Sequence, residues 1–311
     1  MIINTGMRTD IPAFYAEWFM NRVREGYVLV RSPYNPQLVT RYRLNPDVVD
    51  VLGFCTKNPA PMLPYLQELK EFRQFWYVTI TPYGKEIEPN VPAVAEVITS
   101  FKKLSLKIGP AAVGWRYDPI LLNGEYTLQR HIEEFEKMAK AMSGYTEVCV
   151  ISFIDLYNKV RRNFPQAREV ERNTRLELGK KLAEIGAEYG IRIKACGEGR
   201  ELEKYGIDCD GCLTAEVYER AAGAGLVMPK INKSRKECSC YLGADIGAYD
   251  SCGHLCRYCY ANTDRDAVAV NRKRHEPKSP FLIGREMPGD IIKEAKQESW
   301  KNREMNLFSI L

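Results

Sequence analysis

The sequence lacks most of the signals that assign a common function directly. It has no run of about 18 apolar residues that could span a membrane, and its first residues, MIINTGMRTDIP, contain neither a basic region nor a long apolar stretch. It contains no G-x-G-x-x-G or P-loop pattern for binding a nucleotide. Its three histidines are His131, His254 and His275, and His131 falls in a predicted helix, which argues against a Ser-His-Asp hydrolase. We expect a cytoplasmic protein without a membrane partner.

The composition is that of an ordinary globular enzyme. Of the 311 residues, 45% are hydrophobic and 27% are charged, and the net charge of +5 is only mildly basic. One dense basic run, NRKRHEPKSP at residues 271–280, is typical of a solvated loop. It can also contact nucleic-acid phosphates, which keeps nucleic acid as a minor partner hypothesis.

Cysteine is plentiful. The chain has ten cysteines, and most of them lie in closely spaced groups between residues 209 and 259. Because we expect a reducing compartment, this spacing favours metal binding or redox chemistry over disulfides. Cys55 and Cys149 lie in apolar strand contexts and are predicted to be small core residues.

Short apolar strands alternate with amphipathic helices through residues 1–230. This pattern predicts an α/β fold, a full or partial (β/α) barrel, in which function gathers at the carboxyl ends of the strands. Residues 231–311 are a cysteine-rich segment and a tail, expected to close the barrel within the same domain. The predicted strands are 2–7, 49–54, 75–81, 111–117, 147–153 and 191–196, with a weak candidate at 225–229 and an inserted hairpin over 28–32 and 38–44.

Four helices are also predicted. Asp10 caps the first, which has Pro12 in its first turn. The second covers residues 127–143, with Gly144 as its stop. The other two are predicted over residues 167–188 and 289–300.

The segment CGHLCRYCYAN carries the strongest motif. Cys252, Cys256 and Cys259 are spaced C-x3-C-x2-C, with the aromatic Tyr258 just before the last cysteine. Three thiolates at this spacing can bind three irons of one [4Fe-4S] cluster and leave the fourth iron open. The alternative is a zinc or structural Fe-S site with a fourth protein ligand from His254, Cys238 or Cys240.

This motif resembles the signature of the radical S-adenosylmethionine superfamily. The resemblance implies that the open iron binds S-adenosylmethionine, which is cleaved reductively to a 5'-deoxyadenosyl radical that abstracts hydrogen from a substrate. It also implies an electron donor such as ferredoxin or flavodoxin. In most of that superfamily the cysteines lie near the N-terminus, whereas here they lie late. A circularly permuted barrel rebuilds the same site, because the two ends of a barrel meet.

In the permuted order the chain resembles spore photoproduct lyase and its relatives. The elements that carry this resemblance are RTDI at 8–11, FCTKNP at 54–59 and YVTIT at 77–81. It implies that Lys57 holds the carboxylate of S-adenosylmethionine, with Thr9, Thr79 and Tyr258 also at the cofactor. The whole chain further resembles a bacterial and archaeal family of unknown function that has the same C-terminal cysteines.

A second metal site is predicted from four other cysteines, Cys196, Cys212, Cys238 and Cys240. Cys209 competes with Cys212 through the C-x2-C of CDGC. Auxiliary clusters are common in the resembled superfamily, but zinc would fit four thiolates equally well, and both alternatives stay open.

Arg116 and Asp118 follow a predicted strand and are the candidates for catalytic contacts with the substrate. The alternative is an internal salt bridge between them. The sequence therefore predicts a radical S-adenosylmethionine enzyme, a lyase or related, whose substrate the motif does not reveal. The competing hypotheses are a non-catalytic zinc or Fe-S protein that binds nucleic acid or a protein partner, and an electron carrier.

Overall fold

The protein is described here by a computed structural model that covers residues 1–230, 238 and 240–302. The strands of this part of the chain are β1 (Ile2–Asn4), β2 (Tyr27–Arg31), β3 (Leu38–Arg43), β4 (Val51–Thr56), β5 (Gln74–Thr79), β6 (Val113–Ile120), β7 (Val148–Phe153), β8 (Arg192–Ala195), β9 (Ala244–Asp245) and β10 (Ile291–Glu294). Its helices are α1 (Ile11–Phe14), α2 (Ala16–Glu25), α3 (Val94–Ile108), α4 (Leu128–Met142), α5 (Asn158–Asn163), α6 (Arg172–Glu188), α7 (Ala215–Ala222) and α8 (Arg265–Lys273).

Seven strands form one sheet in the order β8-β7-β6-β5-β4-β1-β9, and all neighbouring pairs are parallel. The α/β class, the parallel sheet and the six main predicted strands are therefore confirmed. β8 and β9 form the two edges among the described residues, so the structure does not show closure into a barrel.

The two faces of the sheet bury different residues, because successive side chains of a strand point to opposite faces. One face carries large apolar side chains such as Phe54, Trp76 and Trp115, which belong to the main core under the long helices. The opposite face carries Cys55, Tyr77 and Arg116, and α7 packs against it. This second face is the one that carries Cys196, Cys212, Cys238 and Cys240.

Three helix predictions are confirmed, with small changes of boundary. The Asp10 side chain accepts a hydrogen bond from Ala13 N at 3.0 Å, and Thr127 caps α4 in the same way. The third helix begins at Arg172 instead of 167. In the described part of the chain, no helix is both long and apolar enough to cross a membrane.

Two predictions at the C-terminal end were wrong. The helix predicted over 289–300 is absent: residues 291–294 form β10, which pairs in parallel with β3 of the confirmed hairpin. Gly289 has φ +88°, a left-handed conformation that does not start a helix, and the β-branched Ile291 and Ile292 suit an edge strand. The weak strand at 225–229 is reduced to an isolated bridge at Leu226. Residues 303–311 of the tail lie outside the described residues.

Candidate metal and cofactor sites

The predicted cluster loop follows β9 at the carboxyl edge of the sheet. β9 pairs in parallel with β1, with Ile3 opposite Ala244 and Asn4 opposite Asp245. Cys252, Cys256 and Cys259 therefore lie at the edge where β1 and β4 also end. In parallel α/β sheets, this edge is where ligands bind.

The three cysteines of this loop are held by a compact backbone. Cys259 N donates to Cys256 O at 3.1 Å, and Leu255 takes a left-handed φ of 57°. The Cys259 sulfur accepts from Ala261 N at 3.3 Å, and the amides of His254 and Asp10 donate to the Cys252 sulfur. Burial raises the pKa of all three thiols. Because metals and clusters bind thiolates, a cation must drive their deprotonation.

A buried ion pair lies beside the loop. Lys57 Nζ is 2.8 Å from Glu88 Oε1, and the same oxygen accepts hydrogen bonds from Thr81 Oγ1 at 2.7 Å and from the Tyr258 hydroxyl. The lysine also lies over the Tyr258 ring, 5.6 Å from its centre. Burial alone would lower the pKa of Lys57, but the negative charge of Glu88 and its hydrogen bond to the lysine outweigh burial and raise the pKa. The lysine therefore stays charged at the loop.

Asp10 joins the N-terminal segment to both neighbours. Besides capping α1, its carboxylate accepts from Lys57 N at 2.7 Å and pairs with His254 Nε2 at 2.9 Å. The other ring nitrogen of His254 lies 3.4 Å from Asn90 O. The predicted cap is confirmed, and His254 is engaged on both sides of its ring.

The two threonines predicted at the cofactor lie at strand ends. Thr9 is buried, and its Oγ1 has no hydrogen-bond partner in the described part of the chain. Thr79 ends β5, is half-buried and stands opposite Arg116 in the register. An orphaned buried hydroxyl is rare in proteins, so Thr9 is open to a ligand.

A second, much tighter group of cysteines lies on the face of the sheet covered by α7. Sγ of Cys196 is 3.4 Å from that of Cys212, and Cys212 Sγ is 3.5 Å from Cys240 Sγ. All three sulfurs lie within 4.8 Å of one another. Cys238, also buried, is hydrogen-bonded to the Cys240 thiol. We call Cys196, Cys212, Cys238 and Cys240 the close cysteine set.

Cys209, the predicted competitor, is not part of this set. Its Sγ lies 3.7 Å from Ile207 O, and the residue packs at the margin of the main core on the other side of the sheet. Hydrogen bonds from the Cys196 and Cys240 thiols, helped by the charge of Arg116, hold the pKa of Cys212 well below its usual value despite burial. The set therefore favours a thiolate at Cys212.

Arg116 and Asp118 form the internal salt bridge that was the alternative to a substrate role. Arg116 Nε is 3.1 Å from Asp118 Oδ2, and the guanidinium lies 5.4 Å from the centre of the Tyr77 ring. Its Nη1 is 3.4 Å from Cys212 Sγ. The pair thus lies against the close cysteine set.

Sequence reasoning missed Glu88 and Thr81. Glu88 is buried and accepts from Lys57, Thr81 and Tyr258, so it joins the strand-end lysine to the cysteine loop. The available signal was its place in the loop after β5, at the same edge of the sheet as Lys57.

A family model for a domain of unknown function, DUF1848, matches residues 2–261. The chain belongs to the DUF1848 family. The matched range includes both cysteine groups, Lys57 and Glu88. No curated protein matches the sequence. Among solved structures, a crystal structure of a candidate alpha-L-fucosidase from Bacteroides thetaiotaomicron is similar over 45% of this DUF1848 chain and 42% of its own, with 9% identity and a TM-score of 0.27.

Proposed function

We propose that this protein binds a [4Fe-4S] cluster through Cys252, Cys256 and Cys259 and cleaves S-adenosylmethionine for radical chemistry on a substrate still to be identified. The observation that carries the proposal is a loop of three thiols whose three expected fourth ligands are engaged elsewhere in the described part of the chain. The three sequence alternatives for that ligand all have other partners: His254 pairs with Asp10, and Cys238 and Cys240 belong to the close cysteine set.

The spacing of the three sulfurs also supports a cluster. Among the described residues, the sulfurs of Cys252, Cys256 and Cys259 do not all lie within 4.8 Å of one another. They are still close enough for a charge on one thiol to raise the pKa of another. A cluster binds each thiolate to a different iron and so holds the sulfurs further apart than a single ion does. The loop therefore lacks the close sulfur packing of a single-ion site, which favours a cluster over one zinc ion.

The residues around the loop match the polar ends of an amino-acid cofactor. S-adenosylmethionine carries a carboxylate and an amino group, and Lys57 and Glu88 offer one charge of each sign next to Cys256. When the cofactor binds, its carboxylate can pair with Lys57 and its amino group with Glu88. Neither protein charge is then left unpaired. The unpartnered Thr9 hydroxyl is one further polar group at this edge.

The strand order supports the permuted arrangement. β9 precedes the cysteine loop in the chain and lies next to β1 in the sheet, so the spatial order β9-β1-β4-β5 places the loop where a first strand would deliver it. When bound and reduced, the cluster supplies the electron that splits S-adenosylmethionine into methionine and a 5'-deoxyadenosyl radical. The protein's part is to bind the cofactor's charged groups and to shield the site from water.

The test is anaerobic purification or reconstitution, followed by iron and sulfide analysis and electron paramagnetic resonance of the reduced protein. We expect about four irons and four sulfides per chain and a signal that changes on addition of S-adenosylmethionine. A site filled by zinc in place of iron would contradict the proposal and favour the non-catalytic alternative. A cluster whose electron paramagnetic resonance signal does not change on addition of S-adenosylmethionine would favour an electron carrier.

A further inference from the structure

We infer that Cys196, Cys212, Cys238 and Cys240 bind a single divalent ion, zinc, in a tetrahedral four-thiolate site that is separate from the cluster loop. The inference is independent of the proposed function, because it uses none of the same residues. It also chooses between the two metals that the sequence leaves open for this set.

The sulfur spacing fits one ion. Zinc–sulfur bonds of about 2.3 Å in a tetrahedron place the sulfurs about 3.8 Å apart. The observed separations are 3.4 Å for Cys196 to Cys212 and 3.5 Å for Cys212 to Cys240, with all three sulfurs within 4.8 Å. A disulfide is excluded at these distances, since its sulfurs are about 2.05 Å apart. Four thiolates on four different irons of a cube would need wider spacing.

The fourth donor is Cys238. Its thiol is hydrogen-bonded to Cys240, which is also hydrogen-bonded to Cys196 and Cys212. Both Cys238 and Cys240 are buried, at 4% and 2% exposure. Three sulfurs converge, and Cys238 lies beside them through its bond to Cys240, with none of the four residues exposed. Four buried thiolates around one ion are the closed coordination of a structural zinc site, which leaves no position open for a substrate.

Surrounding groups hold the sulfurs and offset their charge. Leu213 N donates to Cys240 Sγ at 3.4 Å, and Arg116 Nη1 lies 3.4 Å from Cys212 Sγ. Four thiolates and one divalent ion leave an excess of negative charge, which a half-buried guanidinium and an amide dipole stabilise. Contacts of this kind are what orient and tune metal ligands.

The sheet is built to receive this set. Tyr77 donates its hydroxyl to Cys212 O at 2.6 Å, and its ring lies over Gly114, where a Cβ would come within 2.4 Å of it. Cys196 directly follows β8, and its amide donates to Ile151 O at 3.0 Å. The ion would join the end of β8, the loop before α7 and the chain that leads to β9.

The test is the zinc content of the full chain by mass spectrometry, in the wild type and in cysteine variants, with zinc K-edge absorption on the wild type. We expect about one zinc per chain, with sulfur neighbours alone at about 2.3 Å. The variants Cys212→Ser and Cys240→Ser should lose zinc at least tenfold. Cys209→Ser, the matched control from the same C-x2-C, should retain it.

A further variant separates this inference from the proposed function. In the combined variant Cys252→Ala, Cys256→Ala, Cys259→Ala, iron should be lost and zinc should remain. Less than a tenth of a zinc per chain in the folded wild type, a zinc shell containing nitrogen or oxygen, or iron in these four thiolates would overturn the inference. Because the absorption spectrum is measured on wild-type protein, the outcome does not depend on whether a serine variant folds.

Discussion

The two cysteine groups differ in how their sulfurs are spaced and in what surrounds them. In the close cysteine set, neighbouring sulfurs are 3.4 and 3.5 Å apart, on the face of the sheet under α7. The sulfurs of Cys252, Cys256 and Cys259 are spread along one loop, and that of Cys256 is close enough to the Lys57–Glu88 ion pair to sense both charges. The first arrangement suits a closed ion that stabilises the fold, and the second suits a cluster with an open corner and a charged ligand.

The largest effect should come from a loop cysteine. Replacing Cys256 by Ala removes one of three cluster ligands, so 5'-deoxyadenosine formation should fall by at least about a hundredfold, since even indirect partners of a metal cost about 10- to 100-fold. The product is measured by chromatography after incubation with S-adenosylmethionine and a reductant. Cys209→Ala is the control and should stay active. Full activity in Cys256→Ala would show that the loop takes no part in the cleavage of S-adenosylmethionine.

The close cysteine set should matter most for stability. In Cys212→Ser the melting temperature should drop by about 5 to 10 °C, because metal binding contributes to folding and 1 kcal/mol corresponds to about 2–4 °C in larger domains. Calorimetry measures the change, and Cys256→Ala serves as comparison with a smaller drop. Equal drops in both variants would mean that the two groups do not differ in role.

Lys57 tests the charged side of the loop group. In Lys57→Met the affinity for S-adenosylmethionine should fall about tenfold, the value of one charge-assisted hydrogen bond. The substitution also leaves Glu88, which is 3% exposed, without its cation. The double variant Lys57→Met, Glu88→Gln removes that unpaired charge.

We therefore expect the double variant to regain stability but not cofactor affinity. Isothermal titration gives the affinity, and iron analysis checks that the cluster is retained. Recovery of both properties would reduce Lys57 to a structural residue.

The smallest effect should come from Arg116. Arg116→Met removes the contact with Cys212, so transfer of zinc to a chelator should accelerate by about tenfold or less, as for other groups that support metal ligands. A colorimetric chelator follows the release. If zinc release is unchanged while 5'-deoxyadenosine formation collapses, Arg116 belongs with the substrate, as the sequence first suggested.

The sequence predicted the sheet well because buried parallel strands are short apolar runs, as in VCVISF and FWYVTIT. It also drew attention to the cysteines, because their spacing is a local signal, and the structure brings Cys196, Cys212 and Cys240 together. It missed Glu88, because the partner of Lys57 lies in a different loop and only the sheet brings the two together. The helix expected at 289–300 failed because the open edge of β3 recruits residues 291–294 as a strand, a tertiary effect without a local signal.

The sequence likewise did not predict that Cys209 and Cys212 are separated in the structure. Both fit a C-x2-C pair in the sequence, yet they lie on opposite sides of the sheet. Spacing alone does not state which way a loop turns. Arg116 and Asp118 show the same limit, because a position at a strand end is compatible either with contact to a substrate or with contact to a cysteine sulfur.

The most direct test of the account is 5'-deoxyadenosine release by the anaerobically prepared wild-type protein, with iron and zinc measured in the same sample. The account predicts 5'-deoxyadenosine that depends on S-adenosylmethionine and reductant, from protein with about four irons and about one zinc per chain. An iron-loaded protein that releases no 5'-deoxyadenosine above the level without enzyme would contradict it.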